Sequence, residues 1–117
     1  MKFKDGVELF YDYWDDGGIP WGVKPETIRG MHIVANIYKS LGKELTVTSV
    51  CDGEHKNGSK HYQGLAFDCR TWRDSTGVQM TPKEKEVLAK YCRDALGDDW
   101  DVVIEKTHMH VEYDSND

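Results

Sequence analysis

Two of the five histidines in this chain, His108 and His110, stand two residues apart in the strand-like segment His108 to Tyr113. On a strand, side chains at i and i+2 point to the same face, so this pair converges on one side of a sheet. His61 precedes Gly64, a residue type that allows a close backbone approach or an unusual dihedral. Seven residues after His61, a short apolar segment delivers Asp68. Two imidazoles and one carboxylate from separate elements suit an open zinc site, with three protein ligands and a free fourth position. Such a site brings the pKa of the water there from 15.7 to about 7, which makes a hydrolytic nucleophile at neutral pH. Each part alone has a plainer reading. An H-x-H pair is often satisfied by polar neighbours, and a lone Asp is most often a turn or capping residue. His32, between Met31 and Ile33, reads as a packed or surface histidine, and His55 sits in a charged loop.

The elements that must position these residues follow from spacing. Pro25 suits a first helical position, and Ile28, Met31, Val34, Ile37, Tyr38 and Leu41 recur at helical intervals up to Gly42. Leu45 to Cys51 is β-branched and reads as a strand, and Leu65 to Cys69 as a second, buried one. Between them Asp52 to Lys60 is a polar loop. Thr81-Pro82-Lys83-Glu84 is a capping box that opens a helix to about Leu96, with Val87, Leu88, Tyr91, Cys92 and Ala95 inward and Gly97 closing it. Trp100 to Ile104 and His108 to Tyr113 are two strand-like segments or one long bent strand. Residues 1–24, rich in Gly, Asp and aromatics, read as an irregular arm packed on the domain, and 114–117 as a frayed tail. Helices segregated from a small antiparallel sheet give an α+β domain.

Composition sets the classes. A chain of 117 residues is one domain, 1–117, large enough to need no metal for folding. Its 15 Lys plus Arg against 21 Asp plus Glu leave a net charge of −6, which argues against phosphate-tracking nucleic-acid binding and against a basic membrane module. No apolar run approaches a membrane span, and no apolar stretch follows the N-terminal lysines, so synthesis in the cytoplasm without a signal peptide is expected. Cys51, Cys69 and Cys92 are odd in number with no C-x-x-C spacing, and read as small buried thiols. Cys69, adjacent to Asp68, points to the opposite face and is no ligand.

The full pattern Ser59-x-His61-x-x-Gly64-x-Ala66-x-Asp68, followed by Glu105 and His108-Met109-His110, resembles the signature of zinc D-Ala-D-Ala carboxypeptidases and related bacteriophage endolysin peptidases. The hedgehog signalling domain is similar in fold, and the resemblance covers about residues 25–113. It implies a hedgehog/DD-peptidase-like fold with one Zn2+ per chain held by His61, Asp68 and His110. It further implies that His108 stabilises the developing oxyanion, that Glu105 is the general base, and that Ser59 is a hydroxyl near the metal or substrate. Many relatives carry an acid immediately before the first histidine of the pair, where this chain has Thr107. In one flat strand Glu105 would face away from His110, so a bulge or bend near Lys106 and Thr107 is needed to bring it back. Glu112, on the histidine face, is the reserve base. Arg70 and Arg73 are candidates for holding a substrate carboxylate by bidentate pairing, or are ordinary surface arginines, and Trp72 either walls the cleft or packs. The function implied is hydrolysis of an amide in the peptidoglycan stem peptide, by a monomeric phage or prophage lytic enzyme that acts on the cell wall after release. The alternative is a zinc-binding module of the same fold that does not catalyse, acting in binding or as a virion component.

Overall fold

Thr81 caps its helix as the sequence predicts. Its hydroxyl accepts from the Glu84 backbone N–H while the Glu84 carboxylate accepts from the Thr81 N–H, and the helix runs Pro82–Leu96. The computed structural model describes residues 1–14, 20–51 and 64–114. Its elements are β1 (Lys2–Phe3), β2 (Phe10–Trp14), β3 (Pro20–Gly22), α1 (Pro25–Ser40), β4 (Thr46–Ser49), β5 (Ala66–Arg70), α2 (Pro82–Leu96), β6 (Trp100–Ile104) and β7 (His108–Tyr113). The class is α+β, with two helices on a five-stranded sheet ordered β1-β4-β5-β7-β6. The expected antiparallel sheet is in fact mixed, because β1 runs parallel to β4. The N-terminal arm is less irregular than its composition suggests: it supplies β1 and the antiparallel pair β2–β3. Asp114, expected to fray, donates its N–H to the Asp99 carbonyl, while 115–117 lie outside the described residues. No helix among the described residues is long and apolar enough to cross a membrane.

Alternation along the two central strands divides the sheet into a core face packed by the helices and an opposite face. Phe67 and Cys69 of β5, with Met109 and Val111 of β7, are fully buried and join Met31, Val34 and Tyr38 of α1 and Leu88, Ala89 and Cys92 of α2 in one core. Asp68, Arg70, His108, His110 and Glu112 therefore project from the opposite face. The three cysteines are free and buried as expected, and burial pushes the Cys92 thiol up to about 12. Such thiols are inert rather than reactive.

Two glycines make this packing possible. Gly30 of α1 lies against the Trp100 ring, where any Cβ would overlap the indole. Gly64, at the entry to β5, has φ +69 and sits where a Cβ would overlap the Gly22 carbonyl. Its own carbonyl accepts from Thr27 Oγ1 at 2.7 Å and from the Lys24 N–H at 3.0 Å, tying β3 and α1 to the strand that carries Asp68. The sequence expectation for this glycine is met on both counts, dihedral and close approach. Gly64→Ala combines left-handed strain with a backbone overlap, and should destabilise the fold by about 2–4 kcal/mol in denaturant titration. A change below about 0.5 kcal/mol would show that the crossing relaxes freely.

Candidate metal centre

The centre is built on three adjacent strands whose register is explicit. Asp68 of β5 lies directly opposite His110 of β7, and Arg70 opposite His108. On the other side of β7, Val103 pairs with His110 and Asp101 with Glu112. Across the β4–β5 pair the register shifts between Val47 and Ser49, so Ser49 faces Asp68. A bulge therefore does lie at the site, but beside Asp68 rather than near Lys106 and Thr107.

Glu105 comes to the histidine side through a tight reversal at Lys106-Thr107, the place where the sequence requires a bulge or bend. Residues 100–113 are not one bent strand but an antiparallel hairpin, in which the Glu105 N–H donates to the His108 carbonyl at 2.8 Å. Continuing the β6–β7 register by one rung sets Glu105 opposite His108, in line with Val103 and Asp101. Parity along one flat strand places Glu105 on the other face, and the reversal at Lys106-Thr107 brings it back. The turn is pinned from two sides, by Lys85 Nζ donating to the Lys106 carbonyl at 2.9 Å and Gln79 Nε2 to the Thr107 carbonyl at 3.4 Å.

Polar atoms close on one another around His110. Its Nδ1 lies 2.9 Å from Asp68 Oδ1 and its Nε2 2.8 Å from Glu112 Oε1. His108 Nε2 is 3.8 Å from Asp68 Oδ2, and its Nδ1 is 3.3 Å from Thr107 Oγ1. Glu112, the reserve base, thus holds the far nitrogen of a candidate ligand, the arrangement by which carboxylates orient metal-binding imidazoles. Glu105 is exposed, and His61 and Ser59 lie outside the described residues. Arg70 stands on the same face as Asp68, while Cys69 points into the core as expected.

No family model, curated protein or solved structure matches this chain. The site must therefore be judged on its own donors. Bonds of about 2.0–2.1 Å at tetrahedral angles put two zinc ligand atoms about 3.3 Å apart. Asp68 Oδ1 and His110 Nδ1 lie slightly inside that separation, at 2.9 Å. Their spacing is close to that of two ligands on one ion, while His61, the third ligand that the resemblance implies, lies outside the described residues. A second cluster was not anticipated from sequence: Asp101, Glu112 and Asp114 each place a carboxylate oxygen within 4.8 Å of the others and could hold a metal ion. The pairing of Asp101 with Glu112 across β6–β7 creates it, and that pairing is not visible until the hairpin is known. Its all-oxygen donors suit a hard cation better than zinc.

Carboxylate oxygens on both ring nitrogens call for the doubly protonated imidazolium. The hydrogen bond with Asp68 accordingly raises the His110 pKa, Glu112 adds to the effect, and burial opposes it. With the folded value above the unfolded one of about 6.5, this contribution to stability is full below about pH 6.5 and is lost as pH rises through the folded pKa. In metal-free protein the advantage of wild type over His110→Gln in denaturation midpoint should therefore narrow as pH rises above about 6.5. A gap that stays constant would mean that His110 carries no extra proton. Zinc competes for the same nitrogen, so its affinity should rise over the same interval.

Proposed function

We propose that the chain is a zinc-dependent peptidase that hydrolyses an amide bond in the stem peptide of peptidoglycan, of D-Ala-D-Ala carboxypeptidase or L-Ala-D-Glu endopeptidase type. A phage or prophage lytic enzyme is the context that the resemblance favours. The observation that carries the reading is the rung where Asp68 faces His110 at 2.9 Å, with His108 two rungs along on the same face and Glu105 across the turn from it. Asp68 and His110, with His61, are the residues that would hold zinc. When bound there, the ion would polarise a scissile carbonyl and acidify the adjacent water. Glu105 takes a proton from the attacking water and returns it to the departing amine. His108, steadied by Asp68 and Thr107, donates to the carbonyl oxygen as negative charge develops on it. Glu112 keeps the His110 ring in one orientation.

Zinc-loaded protein on purified sacculi of several wall chemistries tests this, with products identified by mass spectrometry. Release of fragments with new termini at one stem-peptide bond is expected. No cleavage on any wall type would remove the reading. One observation favours the second possibility, a zinc-binding module without catalysis: the Glu105 side chain makes no hydrogen bond or ion pair among the described residues.

A further inference from the structure

We infer that Arg70 and Trp72 form a carboxylate-recognition subsite beside the metal centre, and that its ligand is an anionic peptide whose carboxylate meets the Arg70 guanidinium. Its part in substrate choice rests on the peptidase reading above; its existence as a binding site does not. Arg70 is the direct cross-strand partner of His108 and shares a face of the sheet with Asp68 and His110. Its Cζ lies 3.8 Å from the centroid of the Trp72 ring. Stacking of this kind fixes the plane of the guanidinium while leaving its edge donors free, which is the geometry that receives a carboxylate through two parallel hydrogen bonds.

Two other cations nearby already have partners. Arg73 pairs with Glu84 at 3.3 Å and Lys2 with Glu44 at 3.2 Å. Arg70, although half-buried, has no carboxylate or hydrogen-bond acceptor among the described residues. A half-buried cation without an anion is costly unless a ligand supplies one.

The platform under it is rigid. Buried Tyr38 donates its hydroxyl to the Arg70 carbonyl at 2.9 Å. Buried Thr71 donates to Gln79 Oε1 at 2.6 Å, and Trp72 forms a β-bridge with Gln79. From Arg70 and Trp72 a groove of about 800 Å³ extends away from the metal centre, bordered by Lys4 and Lys43 as well as by the acids Asp5 and Asp74. Asp74 is turned back onto Thr76, whose N–H it accepts at 2.8 Å. In a chain of net charge −6 the groove's lining carries five Lys and Arg against three Asp and Glu, a local positive excess suited to an acidic peptide.

The test is equilibrium binding by calorimetry, with zinc-loaded Glu105→Gln protein to suppress turnover. The probes are a synthetic stem pentapeptide and two matched peptides, with either the γ-D-Glu α-carboxylate or the C-terminal carboxylate converted to amide. One of the two amidations should weaken binding roughly tenfold to a hundredfold, the loss expected for a charged hydrogen-bonded pair. Adding Arg70→Gln should weaken the acid peptide by the same factor and abolish the distinction from that amide. Arg70→Lys, which keeps the charge but loses the fork, should recover only part of it. Equal binding of all three peptides to Arg70-containing protein overturns the inference without reference to any Arg70 variant. A persistent acid preference in folded Arg70→Gln protein overturns it too. Cleavage of sacculi without acid preference sinks the subsite alone, whereas acid-dependent binding at Arg70 without cleavage sustains the subsite and sinks the peptidase reading.

Discussion

Glu105→Gln should lower turnover on stem-peptide substrates by roughly 10²- to 10⁴-fold, the usual contribution of a positioned general base, and should leave zinc content unchanged. The exchange preserves shape and removes only the capacity to take a proton. Glu105 is exposed and is fixed to the hairpin through its backbone N–H, a bond that glutamine keeps. The thermal midpoint should therefore move by no more than a degree or two, as for an exposed surface change. That separation of rate from stability gives the experiment its force. Retained turnover in Glu105→Gln would move the base elsewhere, first to Glu112, which already accepts from His110. A wild type with a full equivalent of zinc and no turnover would point to the binding module instead.

How far the sequence led can be judged at particular residues. Pro25, Thr81, Glu84 and Gly97 act through local chemistry, so both helices were legible nearly to the residue. Alternation on β5 and β7 likewise placed Cys69 in the core and Asp68 with both histidines outside, because strand parity is a local property. The inward face of α2 was less legible. Val87 and Tyr91 are 39% and 46% exposed, and Lys85 is buried in their stead, its amine reaching the Lys106 carbonyl. A pattern reading discounts lysine as a core residue although its stem is aliphatic. Pairing between strands was not legible at all. Whether 100–113 bends or reverses decides the face of Glu105, and that depends on a turn with no Gly, Asn or Asp to announce it. The parallel addition of Lys2–Phe3 to β4 depends on a segment too short to carry any pattern.

Asp68→Ala should reduce zinc occupancy from about one equivalent to less than half at micromolar metal, where the wild type is saturated. Sharing the ~10–16 kcal/mol of a four-ligand structural zinc site evenly assigns each ligand about 2.5–4 kcal/mol, a loss on the order of 10²- to 10³-fold in affinity. Asp68 also accepts the hydrogen bond that raises His110, so its removal frees the ring while deleting the negative charge that draws a cation to it. Glu112→Gln is a milder change. It disturbs the bond to His110 Nε2 and should cost only about ten- to a hundredfold. The order of these two effects identifies the metal centre. If the ion sits between Asp68 and His110, Asp68→Ala is the more damaging and Asp101→Asn is nearly silent. If it sits instead among the oxygens of Asp101, Glu112 and Asp114, Glu112→Gln and Asp101→Asn are both severe and Asp68→Ala is not. Competition titrations with a chromophoric chelator on the three variants distinguish these outcomes. The second pattern would move the metal two residues along β7, away from His108 and Glu105, and no water activated there would lie beside the proposed base.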